Sequence, residues 1–263
     1  MIRVLFFGDI VGKIGREAFF RKLPSLKQKH DANLIIVNGE NSSNGKGITP
    51  KVYNEYIENG VDCITSGNHI FDNKEIIDSM HEYTSLIRPL NYNKGVPGNT
   101  FFTTTVNGSK ITIINLLGQV FMPPIENPFW ATEEFLKEHD ADILILDIHA
   151  EATSEKKAMA MHFANRVSAV VGTHTHVQTN DAEIIDNYTA YITDIGMVGA
   201  KNSILGMKPE PVLRRFLTSM PERFAPPKTD NYTLLNYIEL VINPDGAAES
   251  ITAHNKLIKN AHA

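Results

Sequence analysis

An α/β fold, built on a mixed sheet or on two facing sheets and covered by helices, is predicted by three features of the chain. Five short apolar runs, at residues 3–7 (RVLFF), 33–37 (NLIIV), 62–66 (DCITS), 141–148 (ADILILDI) and 168–172 (SAVVG), are nearly continuous rather than alternating. That is the pattern of strands buried on both faces. Stretches of helical periodicity separate several of these runs, and two further pairs of β-rich runs read as hairpins, which makes the strand set mixed.

Each element follows from local chemistry. After the first strand, residues 14–30 (IGREAFFRKLPSLKQKH) read as a helix that Pro24 is expected to kink or divide. The strand at 33–37 leads to a helix over 49–60, where Thr49 can cap and Pro50 fits the first turn. The runs at 99–106 and 110–117 flank Asn107-Gly108, a strong tight-turn signal. A third helix is expected over 153–167, with Thr153-Ser154-Glu155 as its start. The final hairpin pairs 232–242 with 249–258 around Pro244-Asp245-Gly246. No repeat, low-complexity tract or clear linker interrupts the chain, so a single domain over 1–263 is expected.

Composition narrows the class. A chain of 263 residues, 42% hydrophobic and 21% charged, can bury a sizeable core and is not disordered wholesale. A net charge of -5 argues against a general grip on nucleic acid through its phosphates. The single cysteine, Cys63, cannot form an internal disulfide and sits in an apolar run as an inert core residue. The N-terminal apolar run is too short for a signal peptide, and no run approaches the roughly 18 apolar residues of a membrane span. A cytoplasmic protein without membrane attachment is expected; homo-oligomerisation stays open.

The ends of the strands carry the chemistry. Asp9 follows the first run, Glu40 and Asn41 the second, Asn68 and His69 the third, His149 the fourth, and His174 and His176 the fifth. In α/β folds ligands bind outside the C-terminal strand ends. Asp9, Glu40, Asn68, His149, His174 and His176 mix oxygen and nitrogen donors without a thiolate, which suits zinc, manganese or iron. Six donors exceed what one tetrahedral ion needs and suit two ions sharing a carboxylate. Two such ions bring about four positive charges, and Asp9, Glu40 and a bridging hydroxide remove about three. The surplus would hold a phosphate ester.

Competing signals are weaker. The segment GDIVGK falls one residue short of a phosphate-binding loop, and Ile14 occupies the Ser/Thr place. No serine sits in a G-x-S-x-G elbow. His162, Met159 and Met161 read as packing of one helix, and His30, His81, His139, His254 and His262 receive no role. Two segments are candidates for shaping specificity: 118–130, with Phe121, Phe129 and Trp130 as a lid, a stacking wall, a subunit contact or simply a packed surface loop, and the glycine-bearing 194–210.

Gly8-Asp9, Gly39-Glu40-Asn41, Gly67-Asn68-His69, His149 and the GTHTH of 172–176 resemble the calcineurin-like metallophosphoesterase superfamily, and more narrowly its YmdB-like branch. DIHAEATSEK and GTHTHVQTND are particularly characteristic of that branch. The resemblance implies a four-layer α/β/β/α sandwich around two divalent or mixed-valence transition metal ions, iron or manganese foremost and zinc as a further option. It assigns Asp9 and His176 to one ion, Asn68, His149 and His174 to the other, and Glu40 to both. The chain departs from the superfamily where the usual Asp-x-His reads Asp9-Ile10-Val11, and where the bridging aspartate is Glu40. Asn41 is the candidate for the lost donor. The implied function is phosphodiester hydrolysis by a metal-bridging hydroxide, with a small phosphodiester as substrate, 2′,3′-cyclic nucleoside monophosphates in particular. His69 is expected to protonate the leaving oxygen, the alternative being that it only orients Asn68 or another ligand. A phosphatase, an RNA-end phosphoesterase and a metal-binding regulatory protein with little turnover are the other readings.

Overall fold

The computed structural model describes residues 1–260, and His262 lies outside them. Its strands are β1 (Ile2–Phe7), β2 (Asp9–Ile10), β3 (Leu34–Asn38), β4 (Cys63–Thr65), β5 (Phe101–Val106), β6 (Ser109–Leu117), β7 (Ile143–His149), β8 (Ala169–Thr173), β9 (Glu183–Ile185), β10 (Thr189–Ile192), β11 (Met197–Ala200), β12 (Tyr232–Ile242) and β13 (Ala248–Lys259). The helices are α1 (Gly12–Lys29), α2 (Pro50–Glu58), α3 (Pro128–Glu138), α4 (Thr153–His162) and α5 (Pro209–Thr218).

The continuous apolar runs are strands buried on both sides. Successive side chains of a strand point to opposite faces. In β1, Ile2, Val4 and Phe6 join one apolar cluster while Leu5 and Phe7 join another. β3 divides the same way, Leu34 and Ile36 against Ile35 and Val37. One sheet runs β2-β11-β12-β1-β3-β4, with β13 paired to β12; the other runs β5-β6-β7-β8-β10-β9. β1, β3 and β4 are parallel, as are β6, β7, β8 and β10. The cluster holding Val4, Phe6, Ile36, Ile113, Ile145, Val171 and Ile238 lies between the sheets. Phe19 and Leu23 of α1 and Tyr56 of α2 pack on the outer face of the first sheet. Phe135 of α3 and Met159 of α4 pack on that of the second. The layers are therefore α/β/β/α, as the motifs imply.

Local expectations meet mixed outcomes. Thr49 caps α2, its side chain accepting from Val52 N at 3.2 Å. Asn107 and Gly108 both take positive φ (51° and 87°), the geometry of a type I′ hairpin turn. The late hairpin forms too, with a register shift between Val241 and Ile242. Pro24 does not divide α1, which runs unbroken to Lys29. Pro24 itself lies on the exposed side of the helix. α4 starts after Ala152 without a side-chain cap and stops at His162, short of 167. Met159 is buried, but Met161 is 65% exposed, so only the first packs this helix. His162 reaches outward to Glu133 at 2.8 Å. In 118–130, Phe129 packs on Phe163, whereas Phe121 and Trp130 are exposed. α5, β2, β9, β10 and β11 carry no clear advance signal.

Candidate metal centre

Along the faces that meet between the sheets, apolar side chains give way to polar ones toward the C-terminal strand ends. Asn38 follows Leu34 and Ile36, Thr65 follows Cys63, and Asn115 follows Ile111 and Ile113. Asp147 and His149 follow Ile143 and Ile145, and Thr173 follows Ala169 and Val171. All six polar side chains are buried. The i, i+2 period of the strand puts them on the face of the preceding apolar residues. The core between the sheets thus ends in a polar floor, and the loops beyond it carry the donors.

Those donors converge from both sheets. Asp9, Glu40, Asn41 and His149 are buried. His149 Nε2 lies 2.9 Å from Glu40 Oε1 and 3.1 Å from His174 Nδ1. His176 Nε2 lies 3.7 Å from Asp9 Oδ1. The Asn41 amide nitrogen stands 3.3 Å from Asp9 Oδ1, 3.1 Å from Glu40 Oε1 and 3.4 Å from His176 Nε2, on the Asp9–His176 side. A half-turn of that amide would present its oxygen at the same point. A Cβ on Gly67 would collide with the His149 ring and the Glu40 carboxylate, so glycine is required there.

Each imidazole of the cluster is anchored through one nitrogen and faces inward with the other. His149 Nδ1 is 2.9 Å from Thr173 Oγ1, which donates to Asp147 Oδ1 at 2.7 Å. His174 Nε2 is 3.2 Å from Glu151 Oε2. His176 Nδ1 is 2.9 Å from the Leu205 carbonyl, which brings 194–210 against the site. Such anchoring fixes tautomer and ring orientation and frees the second nitrogen as a ligand. Asn68 Oδ1 is buried without any hydrogen-bond partner among the described residues. Glu40, His149 and His174 offer donor atoms within 4.8 Å of one another, as a metal site requires.

The electrostatics fit a cation. Burial opposes ionisation of Asp9, but His176 and His149 outweigh it and hold the carboxyl well below the usual range. Burial likewise opposes ionisation of Glu40, yet His149 holds its carboxyl down. Burial disfavours the charged form of His149, and Glu40, Asp9 and Asp147 overcome it, raising the imidazole to about 9. Burial and the neighbouring His149 push His174 down to about 3. The carboxylates are ionised, and they draw a positive charge onto the ring between them. Burial lifts Asp147 to about 6 against the pull of His149.

The loop bearing both histidines is strained and pinned. His174 and His176 take φ of 103° and 65°, which costs about 1–3 kcal/mol each for a non-glycine residue. Asp9 Oδ2 accepts from His174 N at 3.2 Å. Asp194 Oδ2 accepts from Thr175 N at 3.0 Å. Lys156, fully buried on α4, donates to Thr173 O at 2.7 Å and to Asp194 Oδ2 at 2.8 Å. This buried pair is a positioning device for the loop.

Every sequence-predicted donor lies in or beside this cluster. His69 stands at its edge: its backbone N–H donates to Glu40 Oε2 at 2.9 Å, and its Nδ1 lies 2.9 Å from Asp72 Oδ2. The sequence reading missed Asp72, Asp147, Glu151, Lys156, Thr173 and Asp194. Asp147 was detectable, being a carboxylate inside an apolar strand two residues before His149. The others are recognisable only through partners distant in the chain.

This four-layer sandwich of the metallophosphoesterase type recurs in known proteins of similar sequence. A 2′,3′-cyclic-nucleotide 2′-phosphodiesterase of Bacillus subtilis (strain 168) is 41% identical over 263 residues, spanning 99% of this chain and 98% of that relative. Among solved structures, a hypothetical protein from Thermus thermophilus is 38% identical with a TM-score of 0.92, covering 97% of this chain and 99% of the other. A phosphatase from Mycoplasma pneumoniae is 36% identical with a TM-score of 0.93, covering 99% and 95%. The model of the YmdB-like proteins matches residues 5–253, and the chain belongs to that family.

Proposed function

We propose that the protein is a dinuclear metal-dependent phosphodiesterase acting on 2′,3′-cyclic nucleoside monophosphates. The observation that carries the metal reading is the common design of three imidazoles. His149, His174 and His176 each have one nitrogen tied to an acceptor and the other turned toward Asp9, Glu40 or a second ring. The orphaned Asn68 oxygen supports it further. Asp9, His176 and Asn41 would hold one ion, Asn68, His149 and His174 the other, and Glu40 both. Oxygen and imidazole donors without thiolate suit iron or manganese, and admit zinc. When bound, the ions supply Lewis-acid activation of a water and neutralise charge on the phosphate oxygens.

The chain's own residues do the rest. Thr173 and Asp147 hold the His149 ring, and the Lys156–Asp194 pair holds the backbone on either side of His174. Asp72 fixes the Nδ1 side of His69, leaving Nε2 to deliver a proton to the departing ribose oxygen. The cyclic-nucleotide substrate is supported by the Bacillus subtilis relative, whose name states that activity.

The decisive experiment joins metal analysis to a substrate panel. Purified protein should contain about two transition ions per chain at this centre. It should hydrolyse bis(p-nitrophenyl) phosphate and 2′,3′-cyclic AMP, with loss of both activities on chelation. Glu40→Gln should weaken both ions together. A single tightly held ion at this centre, undisturbed by Glu40→Gln, defeats the dinuclear reading, and turnover of phosphomonoesters alone defeats the phosphodiesterase reading.

A further inference from the structure

Among the described residues, one other group of histidines and carboxylate converges outside that centre, on the helix-covered face of the first sheet. His30 caps the C-terminal end of α1, Glu239 stands on β12 and His254 on β13. His30 Nδ1 lies 2.9 Å from Glu239 Oε2, and His254 Nε2 lies 3.8 Å from the same oxygen. The three donor atoms fall within 4.8 Å of one another. Ligands about 2.0–2.1 Å from a tetrahedral zinc stand about 3.4 Å apart, and these two separations bracket that value.

Proton counting points the same way. Tyr237 Oη lies 3.1 Å from His30 Nε2, and its ring stacks on His254 with centroids 4.6 Å apart. With Nε2–H donated to the Tyr237 hydroxyl, the His30 Nδ1 lone pair faces a carboxylate oxygen directly; with the Tyr237 O–H donated to Nε2 instead, Nδ1–H serves that oxygen. A proton between them relieves that one contact. It leaves His254 Nε2, which is buried and has no hydrogen-bond partner among the described residues, unserved. One divalent cation serves all three donors at once. Burial, and the neighbouring His30, Lys256 and Lys29, push the His254 imidazole down, which keeps its lone pair available. The carbonyl end of the 18-residue α1 also favours positive charge at this point. Opposing it are Lys29 and Lys256 and the Arg3 guanidinium, which is 3.5 Å from Glu239 Oε1.

We propose that His30, Glu239 and His254 form a further site for a single divalent transition ion, with zinc the best match to two imidazoles and one carboxylate. The ion would staple the end of α1 to the β12–β13 hairpin, with Tyr237 orienting the His30 ring from behind.

The test is zinc stoichiometry and zinc-dependent melting of the full chain. Wild-type protein should bind one more zinc per chain than His254→Ala, and zinc should raise the melting temperature of the wild type more than that of the variant. Glu40→Gln should keep this additional zinc, and His254→Ala should keep its hydrolysis of bis(p-nitrophenyl) phosphate, which separates the staple from the catalytic proposal. Glu239→Gln, which keeps the side chain's size, provides a second variant if His254→Ala fails to fold. Equal zinc content in wild type and in whichever of these variants folds overturns the proposal, as does loss of the same zinc in Glu40→Gln.

Discussion

At His69 the backbone and the side chain have separate tasks. The N–H donates to Glu40, while the ring is steered by Asp72 from the edge of the cluster and is 27% exposed. A ring in that position can meet a substrate oxygen, whereas replacing it leaves the backbone bond to Glu40 in place. His69→Ala should therefore slow hydrolysis of 2′,3′-cyclic AMP by about 10²–10⁴-fold. Metal content should not change. With bis(p-nitrophenyl) phosphate the loss should be much smaller, because p-nitrophenolate departs without a proton. Equal losses on the two substrates would remove His69 from proton transfer. The residues of the site were legible at this scale because each donor ends an apolar run. Their supports were not: Lys156 in a helical stretch looks like a solvated charge, and only the fold brings it to Asp194, 38 positions away.

Between elements, the clearest electrostatic clamp joins α3 to the end of α4. Glu133 accepts from both terminal nitrogens of Arg166 at 2.7 Å and lies 2.8 Å from His162 Nε2. Arg166 first, then His162, holds the Glu133 carboxyl down, from about 4.5 to about 2. A depressed carboxyl stabilises the fold fully above its unfolded value and loses that contribution as pH falls through its folded value. The stability gap between wild type and Glu133→Gln should thus be constant near neutral pH and close between about 4.5 and about 2. Both partners are partly exposed, so the gap should be about 0.2–1 kcal/mol, measurable by urea melts across that range. A gap that persists unchanged to the acid end would assign the effect to packing. The helix that carries Glu133 went unread. Its signal was present in Asn127, whose side chain caps Phe129 N and Trp130 N, followed by Pro128 at the first turn. The prolines and aromatics before it masked the period. β2, β10 and β11, of two to four residues each, are too short for any periodicity to show, and they exist because longer neighbours pair with them.

Across the whole molecule, the candidate centre is a joint between two sheets. Asp9, Glu40 and Asn68 come from the first sheet and its loops, while His149, His174 and His176 come from the second. The donors meet only when the sheets face each other across the apolar layer of Val4, Phe6, Ile36, Ile145 and Val171. An unfolded chain holds no such arrangement, so free energy of metal binding is free energy of folding. Without a cation, Asp9 and Glu40 are buried carboxylates neutralised by imidazoles alone. Manganese, which suits oxygen and imidazole donors, should therefore raise the urea midpoint of chelator-treated protein. Each site should add about 2.7 kcal/mol at a free concentration 100 times its Kd. The denaturant slope should stay the same, since the surface exposed on unfolding does not change. Glu40→Gln should flatten the response, because the carboxylate proposed to serve both ions is lost. An identical midpoint with and without manganese in the wild type would mean that the two sheets hold their polar rim together without metal.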